Sequence, residues 1–360
     1  MSDVHAARRQ AVWRALVEQT PTADGLLVTS LANIRYLTGF SGSNAALLLQ
    51  PAEAILSTDG RYVTQAGEQS PGLRLIIDRA STLALGRTWE AAQGGLLAIE
   101  SEHLSVAVLR SLQGMLAHSP VEVTGVVEGC RVVKDDDEIA LIARACSISD
   151  LALQDILPSI RAGDSERDVA RRLEAAMLRR GAHGLSFATI MAAGPHSAKP
   201  HHEPTDRQIE RGDLVLMDFG AEVSGYHADM TRTFVMGEPA QWQSEIHAVV
   251  LRAQEAGCAA AHAGVPLSEV DGAARSVVAE AGWAAYFEHG LGHGVGLQIH
   301  EAPFLSPRSA GRLPAGSPVT VEPGIYLPGR GGVRIEDTVV VGEGPCRPLT
   351  SSGRDLLVLG

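Results

Sequence analysis

Five side chains in three separate segments of the chain have the types and spacing of metal ligands. Asp218 and Asp229 are 11 residues apart, His293 lies in a glycine-rich segment, and Glu322 and Glu336 are 14 residues apart. Carboxylates and an imidazole suit divalent ions such as Mn²⁺, Co²⁺ or Zn²⁺. Two such ions can share a hydroxide and direct it at a carbonyl or phosphoryl centre. The set therefore predicts a hydrolase that uses two metal ions.

The apolar residues before three of these acids favour a common role. Asp218 follows Leu-Val-Leu-Met, Glu322 follows Pro-Val-Thr-Val, and Glu336 follows Val-Arg-Ile. An apolar strand buries its neighbours, and burial of a carboxylate is costly unless it is paired or bound to a metal. One such aspartate alone is usually a turn-former or a solvated residue. Three of them, together with Asp229 and His293, favour a metal site.

Histidines near these motifs are further candidates for the same site. His289 and His300 flank His293 in one segment, whose glycines allow the backbone to approach a metal or a substrate. A second group lies upstream, and there His201 is the candidate. We expect the remaining members of that group to be solvated: His196 and His202.

Two arginines lie between the last two acids. Arg334 precedes Glu336 by two residues, so on a strand it shares the face of the glutamate. It can pair with a substrate carboxylate or with an acid of the site. Arg330 lies in a Pro/Gly-rich loop, where it either pairs with the same carboxylate or is solvated.

Composition and charge limit the classes of protein that remain. The chain has 360 residues, 45% of them hydrophobic and 20% charged, as in a soluble globular protein of one large domain or two ordinary ones. The net charge of −12 argues against a broad nucleic-acid surface. No apolar run reaches the roughly 18–20 residues of a membrane span, and the N-terminus has no apolar signal segment.

The four cysteines are scattered and form no CxxC pair. This usage predicts a reduced, cytoplasmic protein. Since free cysteines are usually buried, we expect all four to be small core residues rather than ligands. No nucleophile elbow, phosphate-binding loop, dinucleotide fingerprint or HExxH helix is present to support a competing chemistry.

Alternating apolar strands and helices predict an α/β (α+β) protein with two domains. Residues 1–130 contain a helix near 6–19 and strand-like runs, and a polar hinge with acids at a helix start follows near 134–138. Residues 131–360 contain four helices, near 139–158, 165–180, 244–262 and 267–281, with the ligand-bearing strands between them. Each half of this region has two helices and then a hairpin with one acid on each strand. This pattern predicts a weak internal duplication that brings four acids to one centre.

The motifs GYHADMTRTF, EHGLGHGVGLQIHE, VEPGIY and GGVRIEDTV resemble those of the pita-bread metallopeptidases. That family includes aminopeptidase P, prolidase (Xaa-Pro dipeptidase), methionine aminopeptidase and the metal-free creatinase. The segments SLANIRYLTGFSGSNAALLL and STDGRYVTQA resemble the N-terminal domain of the creatinase, prolidase and aminopeptidase P branch. The resemblance covers nearly the whole chain. It implies a creatinase-like domain at 1–130 and a pita-bread catalytic domain at 131–360 with pseudo-twofold helix and hairpin halves.

The resemblance also implies a role for each metal ligand. Asp218 would bind one of two divalent ions terminally, and Asp229 and Glu336 would bridge both. His293 and Glu322 would complete the other ion. Glu322 would also accept a proton from the bridging water.

The same resemblance implies roles beyond the metal ligands. His201 and His300 would hold the scissile carbonyl and stabilise the tetrahedral intermediate. His289 and Arg334 would line the pocket for the proline side of the substrate. In dimers of this branch the N-terminal domain of a neighbour closes the site, where Asn33 would reach the substrate amine. An aspartate occurs at that position in some relatives, and an uncharged amide would bind an ammonium less strongly.

The resemblance implies hydrolysis of Xaa-Pro peptide bonds by a homodimer. We favour a dipeptidase, because the loop before Glu336 is short and contains two arginines that could bind a free proline carboxylate. The alternatives are an aminopeptidase P that acts on longer peptides and a catalytically silent member that binds peptides or proteins. A silent member would have no reason to keep five correctly spaced ligands.

Overall fold

The computed structural model describes residues 4–360, and the chain forms two compact units. The first ends at Arg131, and the second covers Val132–Gly360. The boundary predicted after residue 130 lies one residue before this division. Asp135 caps the first helix of the second unit, because its side chain accepts from the backbone N–H of Glu138 while Glu138 accepts from that of Asp135. The acids of the hinge therefore have a local structural function.

The N-terminal unit is a mixed six-stranded sheet flanked by helices. The strand order is β4-β3-β2-β1-β5-β6, with β1 antiparallel to β2 and parallel to β5. Its core includes Leu27, Leu48 and Trp89. The elements, in chain order, are α1 Val4–Gln19, β1 Gly25–Val28, α2 Leu31–Thr38, β2 Ala45–Leu49, β3 Ala54–Thr58, α3 Val63–Gln69, β4 Arg74–Ile77, α4 Ser81–Ala91, β5 Leu97–Glu100, α5 Val106–Gln113, β6 Val121–Val123 and α6 Val126–Arg131.

The first half of the C-terminal unit places two helices before a sheet in which β9 lies between β8 and β12. Strands β8, β9 and β12 are antiparallel, and the helices pack on them through one apolar core that includes Ile142, Leu173 and Phe219. The elements are α7 Asp136–Ile156, α8 Glu166–Arg179, β7 Gly184–Leu185, β8 Ile190–Ala193, β9 Leu214–Phe219, β10 Ala221–Val223, β11 Tyr226–His227 and β12 Met230–Met236.

The second half repeats this order of elements around a core of its own. Strand β15 lies between β13 and β18, again in antiparallel pairs, and Val250, Val270 and Val319 belong to the core. The elements are α9 Gln241–Ala260, α10 Leu267–Glu280, β13 Gly292–Gly294, β14 Glu301–Leu305, β15 Pro318–Val321, β16 Gly324–Leu327, β17 Gly331–Arg334, β18 Asp337–Val340, β19 Arg347–Pro348 and β20 Val358–Leu359. The C-terminal unit is thus a pita-bread fold with two related halves.

Hydrogen bonds to backbone carbonyl oxygens join the two halves beside the predicted ligands. The N–H of Glu336 donates to the carbonyl oxygen of Thr231 at 3.1 Å, and the hydroxyl of Thr233 donates to the carbonyl oxygen of Arg334 at 2.9 Å. Strand β12 of the first half therefore lies against the segment that carries the last acid of the second half. Among residues 4–360, no helix is both long and apolar enough to cross a membrane.

The burial of the cysteines differs from the prediction. Cys146 is buried, but Cys130, Cys258 and Cys346 are only half-buried, so the expectation of four core thiols was wrong for three of them. All four thiols are free. The Cys346 thiol donates to the carbonyl oxygen of Cys258 at 3.2 Å, near the end of α9.

Candidate active site

The four predicted acids lie at corresponding places in the two halves. Asp218 is near the end of β9, and Asp229 directly precedes β12, which pairs with β9. Glu322 directly follows β15, and Glu336 directly precedes β18, which pairs with β15. Each half therefore presents one acid at the end of its middle strand and one directly before the later strand that pairs with it.

His293 lies on β13 and faces the acids of both halves. Its Nε2 atom is 3.6 Å from Oδ2 of Asp229 and 3.5 Å from Oε1 of Glu322. Its Nδ1 atom is 3.0 Å from the carbonyl oxygen of Gly294, which leaves Nε2 to face the carboxylates. One ligand atom each from Asp229, His293 and Glu336 can be chosen so that all three lie within 4.8 Å of one another.

The acids strongly perturb one another because they are buried together. Burial, followed by repulsion from neighbouring carboxylates, holds the pKa of Asp229 and Glu336 well above the ordinary values. Burial also raises the pKa of Glu322 to about 8, against the opposing effect of Arg334. Burial lowers the pKa of His293 to about 4, so the imidazole is in the neutral form that binds metals.

These side chains fit divalent cations. Oδ1 of Asp218 is buried and has no hydrogen-bond partner among the described residues, although buried polar oxygens are nearly always bonded. Neighbouring carboxylates that repel one another would be stabilised by positive charge. The donor set of four carboxylates and one neutral imidazole has the chemistry of Mn²⁺, Co²⁺ or Zn²⁺ sites.

Further hydrogen bonds hold the acids in place. The hydroxyl of Thr231 donates to Oε2 of Glu336 at 2.6 Å, and Arg334 donates to Oδ2 of Asp218 at 2.6 Å. The hydroxyl of Thr320 donates to Oε1 of Glu322 at 3.2 Å. The sequence analysis missed Thr231 and Thr320, although each lies two residues from an acid along a strand and could have been assigned to the same face.

Arg334 is already engaged by the protein. Besides Asp218, it donates to the hydroxyls of Thr231 at 3.0 Å and Tyr326 at 2.8 Å. The Tyr326 hydroxyl is also 2.9 Å from Nε2 of His289. The structure thus links both predicted proline-pocket residues, His289 and Arg334, through Tyr326. Tyr326 ends the motif VEPGIY, but its apolar strand context in β16 did not indicate this role.

A pocket of about 900 Å³ opens over the acids, with all five predicted ligands in its lining. His201, His289 and His300 also line it. His201 and His300 are exposed, whereas His289 is half-buried. The remaining wall is largely apolar and includes Phe187, Ile190, Pro200, Phe304 and Leu305. The arrangement can therefore present an activated water to a partly apolar substrate.

Arg330 has the solvated position that was one of its two predicted alternatives, whereas His196 and His202 are less exposed than expected. Arg330 is exposed, stacks at 4.2 Å over the ring of Trp242 and does not line this pocket. His196 is half-buried, and His202, which we expected to be solvated, is 6% exposed; that expectation was wrong for His202. Both imidazoles contact the buried carboxylate of Glu166, a residue the sequence analysis did not select.

Asn33 is fully buried in the N-terminal unit. Its amide nitrogen donates to Glu100 at 2.6 Å and to Glu128 at 2.5 Å, and its oxygen accepts from Arg131 at 2.7 Å. Both amide hydrogens are thus used inside the unit. The role predicted for Asn33 in binding a substrate amine stays without structural support.

Comparison with known proteins supports this description of both units. Residues 140–343 match the model of metallopeptidase family M24, and residues 8–133 match the creatinase/prolidase N-terminal domain. An Xaa-Pro dipeptidase of Pyrococcus furiosus is 42% identical over 259 residues, which are 68% of this chain and 74% of the relative.

Two solved structures cover nearly all of the fold. An Xaa-Pro dipeptidase from Bacillus anthracis has a TM-score of 0.95 and 36% identity, and the match covers 99% of this chain and 100% of that one. An X-Pro aminopeptidase from Thermotoga maritima has a TM-score of 0.89 and 35% identity, over 97% and 99% of the two chains. With its ligand-lined pocket and both matching domains, this chain belongs to metallopeptidase family M24.

Proposed function

We propose that this protein is an Xaa-Pro dipeptidase (prolidase) that uses two divalent metal ions. The observation that carries the proposal is the convergence of five ligands on one pocket with a partly apolar wall. Asp218, Asp229, His293, Glu322 and Glu336 would hold the ions. The relatives from Pyrococcus furiosus and Bacillus anthracis are described as Xaa-Pro dipeptidases, which supports the same substrate class here.

The side chains of the pocket would act at defined stages of hydrolysis. When bound, divalent ions lower the pKa of a shared water and polarise a carbonyl group. Glu322 would accept a proton from the attacking water. His201 and His300, exposed at the pocket, would donate to the carbonyl oxygen as negative charge develops on it. Thr231 and Arg334 would keep two of the carboxylates in place.

The substrate class follows from the chemistry of proline. An Xaa-Pro bond has no N–H at the scissile nitrogen, and the ring blocks ordinary extended binding. A dedicated site needs an apolar surface for the ring, and Phe187, Phe304 and Leu305 provide apolar lining. Burial, followed by the neighbouring Arg334 charge, lowers the pKa of His289 to about 4, so this histidine would contact the ring as a neutral group.

A comparison of three peptides tests the proposal. The metal-replete protein should hydrolyse Ala-Pro with the highest specificity constant, Ala-Pro-Ala more slowly, and the control peptide Ala-Ala slowest of all. Faster cleavage of Ala-Pro-Ala would replace the assignment with aminopeptidase P, the activity named for the Thermotoga maritima neighbour. Because Arg330 lies outside the pocket, Arg330→Ala should leave the ratio of the two proline peptides unchanged.

We further propose Mn²⁺, Co²⁺ or Zn²⁺ as the physiological metal, a homodimer as the assembly and the cytoplasm as the location. The four free thiols support a reducing compartment. Metal analysis of protein purified without added ions and sedimentation at assay concentration test the first two proposals. A fully active monomer would contradict the dimer.

A further inference from the structure

Glu166, the first residue of α8, has a completely buried carboxylate that makes five polar contacts with four residues. Its Oε1 atom accepts from the backbone N–H of Ala193 at 2.9 Å and lies 2.9 Å from Nδ1 of His196. Its Oε2 atom accepts from the N–H and hydroxyl of Thr205 at 3.0 and 2.7 Å, and lies 2.9 Å from Nε2 of His202. Both oxygens of the carboxylate therefore have several polar partners.

These partners all lie within residues 194–205 or directly before them. This segment is the first part of the connection between β8 and β9, and we call it the histidine loop. Apart from the short 3₁₀ helix Gly194–Ala198, the loop has no regular hydrogen-bonded structure. His201 is part of this loop and lines the pocket. Because no strand or helix holds His201, its position depends on the side chains that fix the loop.

The adjacent histidines both line the pocket but differ in burial. His202 is 6% exposed and contacts Glu166, whereas His201 is exposed at the pocket. Fixing His202 on one side of the backbone therefore fixes the direction in which His201 leaves it. Although burial opposes ionisation, hydrogen bonds from Thr205, His202 and Ala193 lower the pKa of Glu166 to about 2. The Glu166 carboxylate is therefore charged at neutral pH.

We propose that Glu166 is a positioning residue for His201, which it holds over the metal ligands by fixing both ends of the histidine loop. The inference rests on the proposed role of His201 at the scissile carbonyl. Glu166 does not line the pocket and contacts none of the predicted ligands, so its effect on catalysis would be transmitted through the loop residues it contacts, of which His202 also lines the pocket.

Glu166→Gln tests the proposal because it keeps the shape of the side chain and removes its charge. We expect kcat for Ala-Pro to fall about 10- to 100-fold, because small misplacements of a catalytic group have effects of this size. KM should change less than about twofold and metal content should not change. In the His201→Ala background, Glu166→Gln should cause no further loss. Losses that multiply would overturn the proposal.

Asp150→Asn is a matched control in the same unit. Asp150 is also buried and accepts four hydrogen bonds, from the N–H and hydroxyl groups of Ser351 and Ser352, in a segment that carries no predicted site residue. We expect a similar loss of thermal stability with kcat within about twofold of the parent. An equal fall in kcat would show that neutralising any buried, hydrogen-bonded carboxylate slows the enzyme, and would overturn the specific role of Glu166.

Two further measurements keep the inference testable if Glu166→Gln folds poorly or if the proposed function fails. Thr205→Val removes the hydroxyl that donates to Glu166 at 2.7 Å and accepts from the backbone N–H of Arg207 at 3.2 Å, and it should lower kcat about threefold to tenfold. Amide hydrogen exchange in residues 194–205 should accelerate in either variant, whatever the substrate of the wild type. Unchanged exchange would overturn the proposal. So would a further metal ion per chain that Glu166→Gln removes, because Glu166, His196 and His202 would then be a metal site.

Discussion

The two halves of the C-terminal unit contribute similar side chains but hold them differently. Each half gives two acids from its middle and following strands and one histidine from the connection after its first strand, His201 in one half and His300 in the other. His300 directly precedes β14, which pairs with β13. His201 has no strand beside it and lies in a loop held by Glu166.

A second difference concerns the first strand of each half. Strand β13 carries His293 toward the acids, whereas the corresponding strand β8 consists of Ile190–Ala193 and has no metal-binding side chain. The symmetry therefore explains four acids and two histidines, whereas the imidazole proposed as a metal ligand occurs in only one half. A duplicated scaffold can thus supply a symmetric set of carboxylates, while the nitrogen donor of the proposed metal site comes from one half alone.

Removal of the metal should have the largest effect, because it disables the contributions of both halves at once. We expect a chelator to abolish hydrolysis of Ala-Pro, and Mn²⁺, Co²⁺ or Zn²⁺ to restore it, since the buried acids repel one another without cations. Elemental analysis of the same samples provides the control. Full activity in a sample shown to contain no metal would refute the two-metal assignment.

Corresponding acids of the two halves should be equally important. Asp229→Asn and Glu336→Gln each remove a negative ligand and should lower kcat by more than the roughly 10- to 100-fold seen when outer partners of a metal site are changed. Soluble yield should change little. A large difference between the two variants would break the symmetry of the bridging ligands. Asp150→Asn again provides a buried carboxylate outside the site.

The histidines of the two connections should have intermediate and similar effects. His201→Ala and His300→Ala should each lower kcat about 100-fold, as expected when one donor to a developing oxyanion is lost. Metal content should stay near that of the parent, because neither residue is assigned as a ligand. If His300→Ala loses metal while Asp229→Asn retains it, the assignment of ligands and carbonyl donors must be exchanged.

A smaller effect concerns the stability of the metal-free chain. The folded pKa values of Asp229, Glu336 and Glu322 are raised, the last to about 8, whereas such acids in an unfolded chain ionise near pH 4. Folded protein then binds more protons than unfolded protein between these values, so stability falls as pH rises. His293 and His289, with pKa values of about 4, oppose this trend below about pH 6.5.

Unfolding by urea should therefore show declining stability between about pH 6.5 and 8, where only the acids contribute. One extra bound proton across this range corresponds to about 2 kcal/mol. The metal-loaded chain is the control and should show no such decline, because cations keep the acids ionised. A metal-free chain whose stability rises over the same range would show that the cluster is solvated rather than buried.

Local sequence patterns were sufficient to predict most helices and strands and to select the four acids. The helix predicted at 165–180 is Glu166–Arg179, and the one predicted at 267–281 is Leu267–Glu280. The helix predicted at 244–262 begins three residues earlier, at Gln241, because the side chain of Gln243 accepts from the backbone N–H of Ala240 and caps the first turn. Such differences at element ends are ordinary.

Long-range contacts could not be predicted in the same way. His202 has the sequence context of a solvated loop residue, and only the fold shows that Glu166, 36 residues earlier, meets it in the interior. Tyr326 joins His289 to Arg334 through contacts across three segments. Arg330 and Arg334 are close in sequence, yet one is exposed beside Trp242 and the other is buried beside Asp218. Burial and partners of polar side chains therefore required the structure.

The division of the ligands between the two halves also has a consequence for biosynthesis. Asp218 and Asp229 leave the ribosome before any residue of the second half, and Glu336 follows Asp229 by 107 residues. A nascent chain that ends before Glu336 has only part of the proposed ligand set, and its β15 has β13 but not β18 as a partner strand. The proposed metal site is therefore complete only after the second half has been synthesised and has folded against the first.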